Sequence, residues 1–295
     1  MTSLHACSPR SKPESVVVFR RKDRVEIKTP EQILVMREAG LVVARTLDLL
    51  RDAVAPGVST AALDAMAEES IRSQGGVPSF LGYHGYPASI CTSVNDEVVH
   101  GIPGNRELAE GDQISIDCGA IVRGWHGDAA ITVGVGEVAA EFVELSRVTE
   151  ESLWAGLAAA AVGGRLNDIG RAVESTVRAA PGGATYGIVE EYVGHGIGTS
   201  MHMDPNVPNY EVAGKTLSLV EGMALAVEPM VCAGQRHVRI LADDWTIVTV
   251  DGQRACHWEH TVALTTDGPW VLTALDGGAA RFAALGVASP AASRA

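Results

Sequence analysis

Cysteine is scarce and unpatterned in this chain. Cys7, Cys91, Cys118, Cys232 and Cys256 are odd in number and fall into neither CxxC nor any other ligand spacing, which argues against a disulfide framework and against a thiolate zinc site. No stretch of about 18 uncharged apolar residues occurs, so no membrane-spanning helix is expected. The first residues lack the basic-then-apolar order of a secretory signal, and a cytoplasmic protein with reduced thiols is the expectation. Positive charge is short as well: 23 Lys and Arg against 36 Asp and Glu leave a net charge of −13. Nucleic acid needs a cationic face, so DNA is not expected as a partner. A Gly-x-Ser-x-Gly elbow, a complete Gly-x-x-x-x-Gly-Lys-Ser/Thr phosphate loop and a His-Glu-x-x-His helix are all missing, which leaves the serine-hydrolase, nucleotide-hydrolase and zincin readings poorly supported. Gly134-Val135-Gly136-Glu137-Val138-Ala139 resembles a dinucleotide-binding turn but has no clean βαβ unit around it. No long Pro/Ser linker interrupts residues 29–275, so one compact body is favoured.

Within that body the elements come in a repeated order. Thr29-Pro30-Glu31-Gln32 opens a helix with an N-cap, a first-position proline and a capping-box glutamine. Its apolar stripe runs through Ile33, Met36, Val43, Leu47 and Leu50 and ends before Pro56-Gly57. A second helix starts at Ser59-Thr60 and stops at Gly75-Gly76. Short apolar runs at Phe80 to Tyr83, Ser89 to Val94 and Val98 to Ile102 read as strands. Helical patterns then return over Ala139 to Ala161 and Asn167 to Ala179, followed by a strand-like run from Tyr186 to Val193. An offset of 111 residues lays Gly82-Tyr83-His84-Gly85 over Val193-Gly194-His195-Gly196 and Asp117 over Glu228. The pattern predicts a two-fold α/β sandwich with a site between its halves.

The run from Gly111 to Val133 reads as a β-hairpin broken at Val122-Arg123-Gly124. Asp117 and Asp128 are placed almost symmetrically about that break, and a one-residue bulge would turn them to one face. Two carboxylates in apolar strands need a proton, a cation or a metal. Three further residues extend this set: Glu228 inside Leu225-Ala226-Val227-Glu228-Pro229-Met230, Glu259 opening Trp258-Glu259-His260-Thr261-Val262, and His195 in Gly194-His195-Gly196-Ile197-Gly198. Two Asp, two Glu and one His make an oxygen-rich set with a single nitrogen, which suits two divalent ions.

Several of these stretches, in this order, carry a family resemblance: Leu81 to Pro87, His100-Gly101-Ile102-Pro103, Ser115-Ile116-Asp117, His126-Gly127-Asp128, the Gly194–Gly198 turn, Glu228-Pro229-Met230 and Trp258-Glu259-His260-Thr261. The chain resembles the type I methionine aminopeptidases from about Val25 to about Leu275. That resemblance implies an α/β (α+β) pita-bread fold, a pseudo-two-fold repeat of helices packed on a curved, mainly antiparallel sheet. It implies removal of the initiator methionine from nascent chains by a hydroxide activated by two divalent metals. It assigns Asp117 to one ion, His195 and Glu228 to the other, and Asp128 and Glu259 to both. Cobalt, manganese, iron and zinc all suit such carboxylate-rich sites, and a structural monovalent cation is a further cofactor expectation. Glu228 is expected to carry the proton to the leaving amine, with His100 near the scissile amide and His202 donating to the carbonyl oxygen.

Phe80, Tyr83, Tyr86, Cys91, Met201 and Trp245 match the family's methionine pocket. Phe80 stands where a Cys is common and Met201 where an aromatic is common. Only 30 residues separate Glu228 from Glu259, which leaves no room for the helical insertion of type II members. The alternatives are a proline-specific pita-bread peptidase, which usually has a large N-terminal domain, and a non-catalytic binding protein of the same fold, which typically has lost metal ligands. Residues 1–28 are basic, with Arg20, Arg21, Lys22, Arg24 and Lys28, and are expected to form a flexible arm, a ribosome contact being the functional alternative. The catalytic domain is expected over residues 29–275 and a disordered tail over 276–295, where Phe282 and Leu285 offer the means to dock a short helix.

Overall fold

A computed structural model describes residues 25–293, so most of the basic arm lies outside the described residues. The first half runs α1 (Pro30–Ala53), α2 (Thr60–Ser73), β1 (Val77–Pro78), a 3₁₀ turn (Tyr83–Gly85), β2 (Ile90–Val94), β3 (Glu97–Val99), β4 (Gln113–Val122) and β5 (Trp125–Gly134). The second half opens with α3 (Ala140–Ala159), α4 (Leu166–Ala179), β6 (Gly187–Ile188), β7 (Gly194–Gly196), β8 (Met203–Val207), β9 (Ala224–Val227) and β10 (Met230–Cys232). It continues with β11 (Val238–Ile240), β12 (Ile247–Thr249), β13 (Ala255–His257), β14 (Glu259–Thr265), β15 (Gly268–Val271) and α5 (Ala279–Ala284). Among the described residues no helix is long and apolar enough to cross a membrane.

The main sheet is antiparallel and curved, in the order β1-β4-β5-β14-β9-β7-β8, with β2 also on β4 and β15 also on β14. Two pairs of helices cover it, one per half. α1 and α2 bury Val43, Leu47, Leu63 and Ile71 against Ile114, Ile116 and Ile131. α3 and α4 bury Leu153, Leu157 and Ile169 against Leu225, Val227 and Val262. The capping box at Thr29 forms as expected, with Gln32 N–H donating to the Thr29 hydroxyl and Thr29 N–H donating to Gln32 Oε1.

α1 lies so close to the sheet that glycine is required where they touch. A Cβ on Gly40 would stand 2.1 Å from the Leu272 carbonyl oxygen, and one on Gly127 would stand 2.8 Å from the Gly40 nitrogen. Gly40→Ala is therefore expected to destabilise the fold. Overpacking costs roughly 1–3 kcal/mol or more, against about 1 kcal/mol gained in helix propensity. The urea midpoint of the variant should fall below that of the wild type; an unchanged midpoint would mean the helix can lift off without loss.

The two halves meet along the β5–β14 seam. Only Glu259↔Ala130 and His260↔Ala129 pair there. Beyond them, in the same register, threonine hydroxyls take over from the backbone. Thr261 Oγ1 accepts the N–H of Asp128 at 3.1 Å and donates to its carbonyl at 2.8 Å. On the other side Thr132 Oγ1 accepts the N–H of His257 at 3.1 Å and donates to its carbonyl at 2.8 Å. Asp128 and Glu259, on either side of this seam, both line the cavity of the site.

Four expectations need correction. The β4–β5 turn is two residues long, Arg123 and Gly124, both at positive φ (50° and 81°) as a tight primed turn requires. The ladder therefore runs unbroken, Asp117 opposite Ala130 and Gly119 opposite Asp128, and both aspartates share a face without a bulge. Phe80 to Tyr83 is not a strand but leads into the 3₁₀ turn, and the extended run after α4 shortens to Gly187–Ile188. The 111-residue offset holds for Asp117 and Glu228, which lie on or just after the corresponding strands β4 and β9, but not for His84. That residue sits on the 3₁₀ turn; the partner of β7 in the other half is β2, which flanks β4 as β7 flanks β9. Finally, residues 276–293 pack onto the fold rather than forming a disordered tail. Phe282 is fully buried against Trp154, and Arg281 lies over the same indole while pairing with Glu150 and Glu151; Leu285, by contrast, is exposed.

Candidate metal centre and substrate cleft

Five separate segments bring acids and one imidazole to a common point. Asp117 projects from β4, Asp128 from β5, His195 from β7, Glu228 from the end of β9 and Glu259 from the start of β14. One ligating atom each from Asp128, His195 and Glu259 lies within 4.8 Å of the other two. Glu228 Oε1 is 3.5 Å from His195 Nε2. These side chains, with Asp117, line one cavity.

The backbones of Asp128 and Glu228 are held by side chains from other segments. Thr261 grips Asp128 from across the seam, and Asn209 donates to the carbonyl of Glu228 at 3.0 Å. His195 Nδ1 lies 3.0 Å from the Gly196 carbonyl. A carbonyl only accepts, so the proton sits on Nδ1 and the Nε2 lone pair faces the acids, the form an imidazole takes as a metal ligand.

The electrostatics of the protein alone are unfavourable. Burial raises the Asp117 carboxyl to about 7, and the adjacent Asp128 shares a hydrogen bond with it. Asp128, Glu228 and Glu259 are raised well above the ordinary range, by burial first and then by the charge of neighbouring acids, Asp117 acting on all three. Burial, with His202 beside it, lowers His195 to about 3. Asp117 Oδ1, Asp128 Oδ1 and Glu259 Oε1 are buried without any hydrogen-bond partner. Orphaned, mutually repelling oxygens beside a neutral nitrogen donor are what a divalent cation satisfies, so the donor set fits a metal.

Above the acids the cavity becomes apolar. Phe80, Tyr86, Cys91 and Met201 are all buried in one cluster, with Tyr83 and Trp245 packed against it. Tyr86 donates to the carbonyls of Ile90 (3.1 Å) and Gly101 (2.9 Å), and its ring meets Trp245 edge-on at 5.0 Å. Asp64 on α2 accepts the N–H groups of Ser89 and Ile90, which ties this wall to the helix layer. Gly119 leaves space for Phe80, since a Cβ there would come within 2.8 Å of the ring. His100 follows β3 at φ 61°, half-buried and lowered to about 4 by loss of solvent and by His202. His202 Nδ1 lies 2.9 Å from the Tyr83 hydroxyl, its ring 4.3 Å from that of His195.

Every residue that the sequence nominated for the site lines this cavity, and two that it did not nominate join them, Val99 and His257. For His257 a signal existed. It stands two residues before Glu259 in strand sequence, and a period of two puts both on one face.

The chain belongs to the metallopeptidase family M24, whose model matches residues 35–266; it is a metal-dependent hydrolase. Methionine aminopeptidase 1 of Mycobacterium tuberculosis is 56% identical over 241 residues, covering 81% of this chain and 91% of that protein. Methionine aminopeptidase 1 of Bacillus subtilis is 50% identical over 246 residues, covering 83% and 98%. Among solved structures, the methionine aminopeptidase of Thermotoga maritima superposes with a TM-score of 0.82 at 40% identity, over 85% of this chain and 100% of that one. The Xaa-Pro dipeptidase of Bacillus anthracis shares the fold, with a TM-score of 0.67 at 22% identity.

Proposed function

We propose that the protein removes N-terminal methionine from nascent polypeptides, and that Asp117, Asp128, His195, Glu228 and Glu259 hold two divalent cations for that reaction. The observation that carries this reading is the convergence of these five side chains at the floor of an apolar slot. When bound, the cations supply an activated water and charge stabilisation at the carbonyl oxygen.

The protein's own groups do the rest. The slot formed by Phe80, Tyr86, Cys91, Met201 and Trp245 takes an unbranched thioether side chain and excludes water from it. The Tyr83 hydroxyl, donating to His202 Nδ1, leaves Nε2–H of His202 to hold the carbonyl oxygen of the scissile bond. His100, neutral in its half-buried position, accepts or returns a hydrogen bond at the scissile amide. Glu228 takes the proton released as water attacks and delivers it to the leaving amine; its raised pKa keeps it a usable acid near neutrality. A contact of the basic segment before Val25 with ribosomal RNA is the alternative to a solvated arm, supported only by its run of Arg and Lys.

Purified protein supplied with a divalent cation is expected to release methionine from Met-Ala-Ser and to leave Xaa-Pro dipeptides intact. Cleavage of Xaa-Pro substrates with no release of methionine would overturn the assignment.

A further inference from the structure

We propose that His257 is a positioning residue that orients the carboxylate of Glu228 by donating a hydrogen bond to one of its oxygens. The proposal rests on the reading of Glu228 as the group that moves the proton. The imidazole of His257 is 2% exposed and forms part of the cavity wall. Its Nε2 has no hydrogen-bond partner and lies 3.9 Å from Glu228 Oε2, while Glu228 Oε1 lies 3.5 Å from His195 Nε2. Each oxygen of this carboxylate thus faces a different imidazole.

The backbone of His257 is held as tightly as that of a ligand. Its N–H is shared between Ser115 Oγ and Thr132 Oγ1, both at 3.1 Å, and its carbonyl accepts from Thr132. Ser115 and Thr132 are themselves 2.9 Å apart and belong to β4 and β5, the strands of Asp117 and Asp128. A histidine kept only for packing would have its ring nitrogens satisfied within the core, because an unmade hydrogen bond in a buried place is expensive. Here the unmet nitrogen points at a carboxylate instead. A movement of about 1 Å closes the gap to hydrogen-bond length, and such bonds commonly tighten only in the working complex.

The physical effect is on a soft torsion. The last torsion of a glutamate is broad and nearly two-fold, so the two oxygens of Glu228 would otherwise exchange places readily. A donor on Oε2 stops that exchange and leaves Oε1 as the oxygen toward His195. The carboxylate then meets the reacting groups in one orientation rather than two.

The test uses the metal-supplied protein and the variants His257→Leu, His257→Asn and His257→Gln, with Met-Ala-Ser turnover, calorimetric metal titration and a thermal melt for each. Leu has no donor and Asn is too short to reach, so both should lose roughly 10–100-fold in kcat, the usual range for a group that orients a site residue, while KM stays near that of wild type. Gln keeps a donor at similar reach and should recover most of the loss. All variants should bind the same number of metal ions as wild type. Should Leu fail to fold, Asn supplies the same comparison with a smaller, polar side chain. Turnover of the Asn variant equal to wild type would overturn the proposal, as would a Gln variant as impaired as Asn. Loss of one equivalent of metal would overturn it too, since His257 would then be a ligand. Wild-type protein silent on Met-Ala-Ser but active on another peptide would instead sink the functional reading.

Discussion

Asp117→Asn should leave a folded protein with essentially no peptide cleavage, a loss of at least roughly 10²–10³-fold in kcat, the scale on which charge-stabilising groups act. The substitution keeps shape and removes charge. In the metal-free protein that charge is a liability, since burial has already raised the Asp117 carboxyl to about 7. The Asn variant should therefore melt no lower than wild type when both are stripped of metal. The same holds for Glu259→Gln, where burial and three neighbouring acids push the carboxyl up. Loss of activity with unchanged or raised stability marks a residue kept for function. Full turnover in either purified variant would defeat the proposed ligand set.

Chelation is the second large effect. Metal-free protein should be inactive, and its stability should fall as pH rises above about 7.5, a full unit past the ordinary histidine pKa. The direction follows from which state binds more protons. Asp117, Asp128, Glu228 and Glu259 are raised on folding, so above the ordinary carboxylate range near 4 the folded state carries protons that the unfolded state has lost. Raising the pH draws those protons off and weakens the fold. The site histidines act oppositely, because burial lowers them, His100, His195 and His257 to about 4, 3 and 3. An unfolded histidine is still half protonated near pH 6.5, so this opposing effect fades only about one unit higher. From pH 7.5 to 8.5 the carboxyls dominate, each one still protonated at pH 8.5 costing about 1.4 kcal/mol over that interval. Urea midpoints of chelated protein at pH 7.5 and 8.5 test this, and returning a divalent cation should release protons and flatten the dependence. A chelated protein that gains stability across the interval would contradict the buried, proton-sharing cluster.

The proposed ligands stood out in the sequence because each is a chemical anomaly in its surroundings. An acid within Ile-Ser-Ile-Asp or Ala-Val-Glu-Pro needs a proton or a cation to be buried, and β-strand periodicity locates the strand that carries it. Helix boundaries were equally legible at Thr29 and Ser59, where capping is local chemistry. What failed depended on contacts distant in sequence or on a single turn residue. Reading three residues into the β4–β5 turn instead of two shifted the ladder by one position and called for a bulge that the real register makes unnecessary. The C-terminal segment looked unstructured because its Ala and Gly carry little pattern; its order comes from Phe282 meeting Trp154, some 130 residues earlier in the chain. His257 went unassigned because a lone histidine in a strand is usually packing. Only its open nitrogen facing Glu228 distinguishes it.

The join between β5 and β14 is a short stitch in the main sheet. Along it there are two backbone pairs and two threonine hydroxyls, while elsewhere the halves are tied by α1 packed on Trp270 and Leu272 and by the β3–β12 ladder. Asp128 stands on one bank of the stitch and Glu259 on the other. A cation gripped by both would act as a rivet through the sheet, so the chemistry that makes the protein a catalyst would also hold these two strands at a fixed spacing.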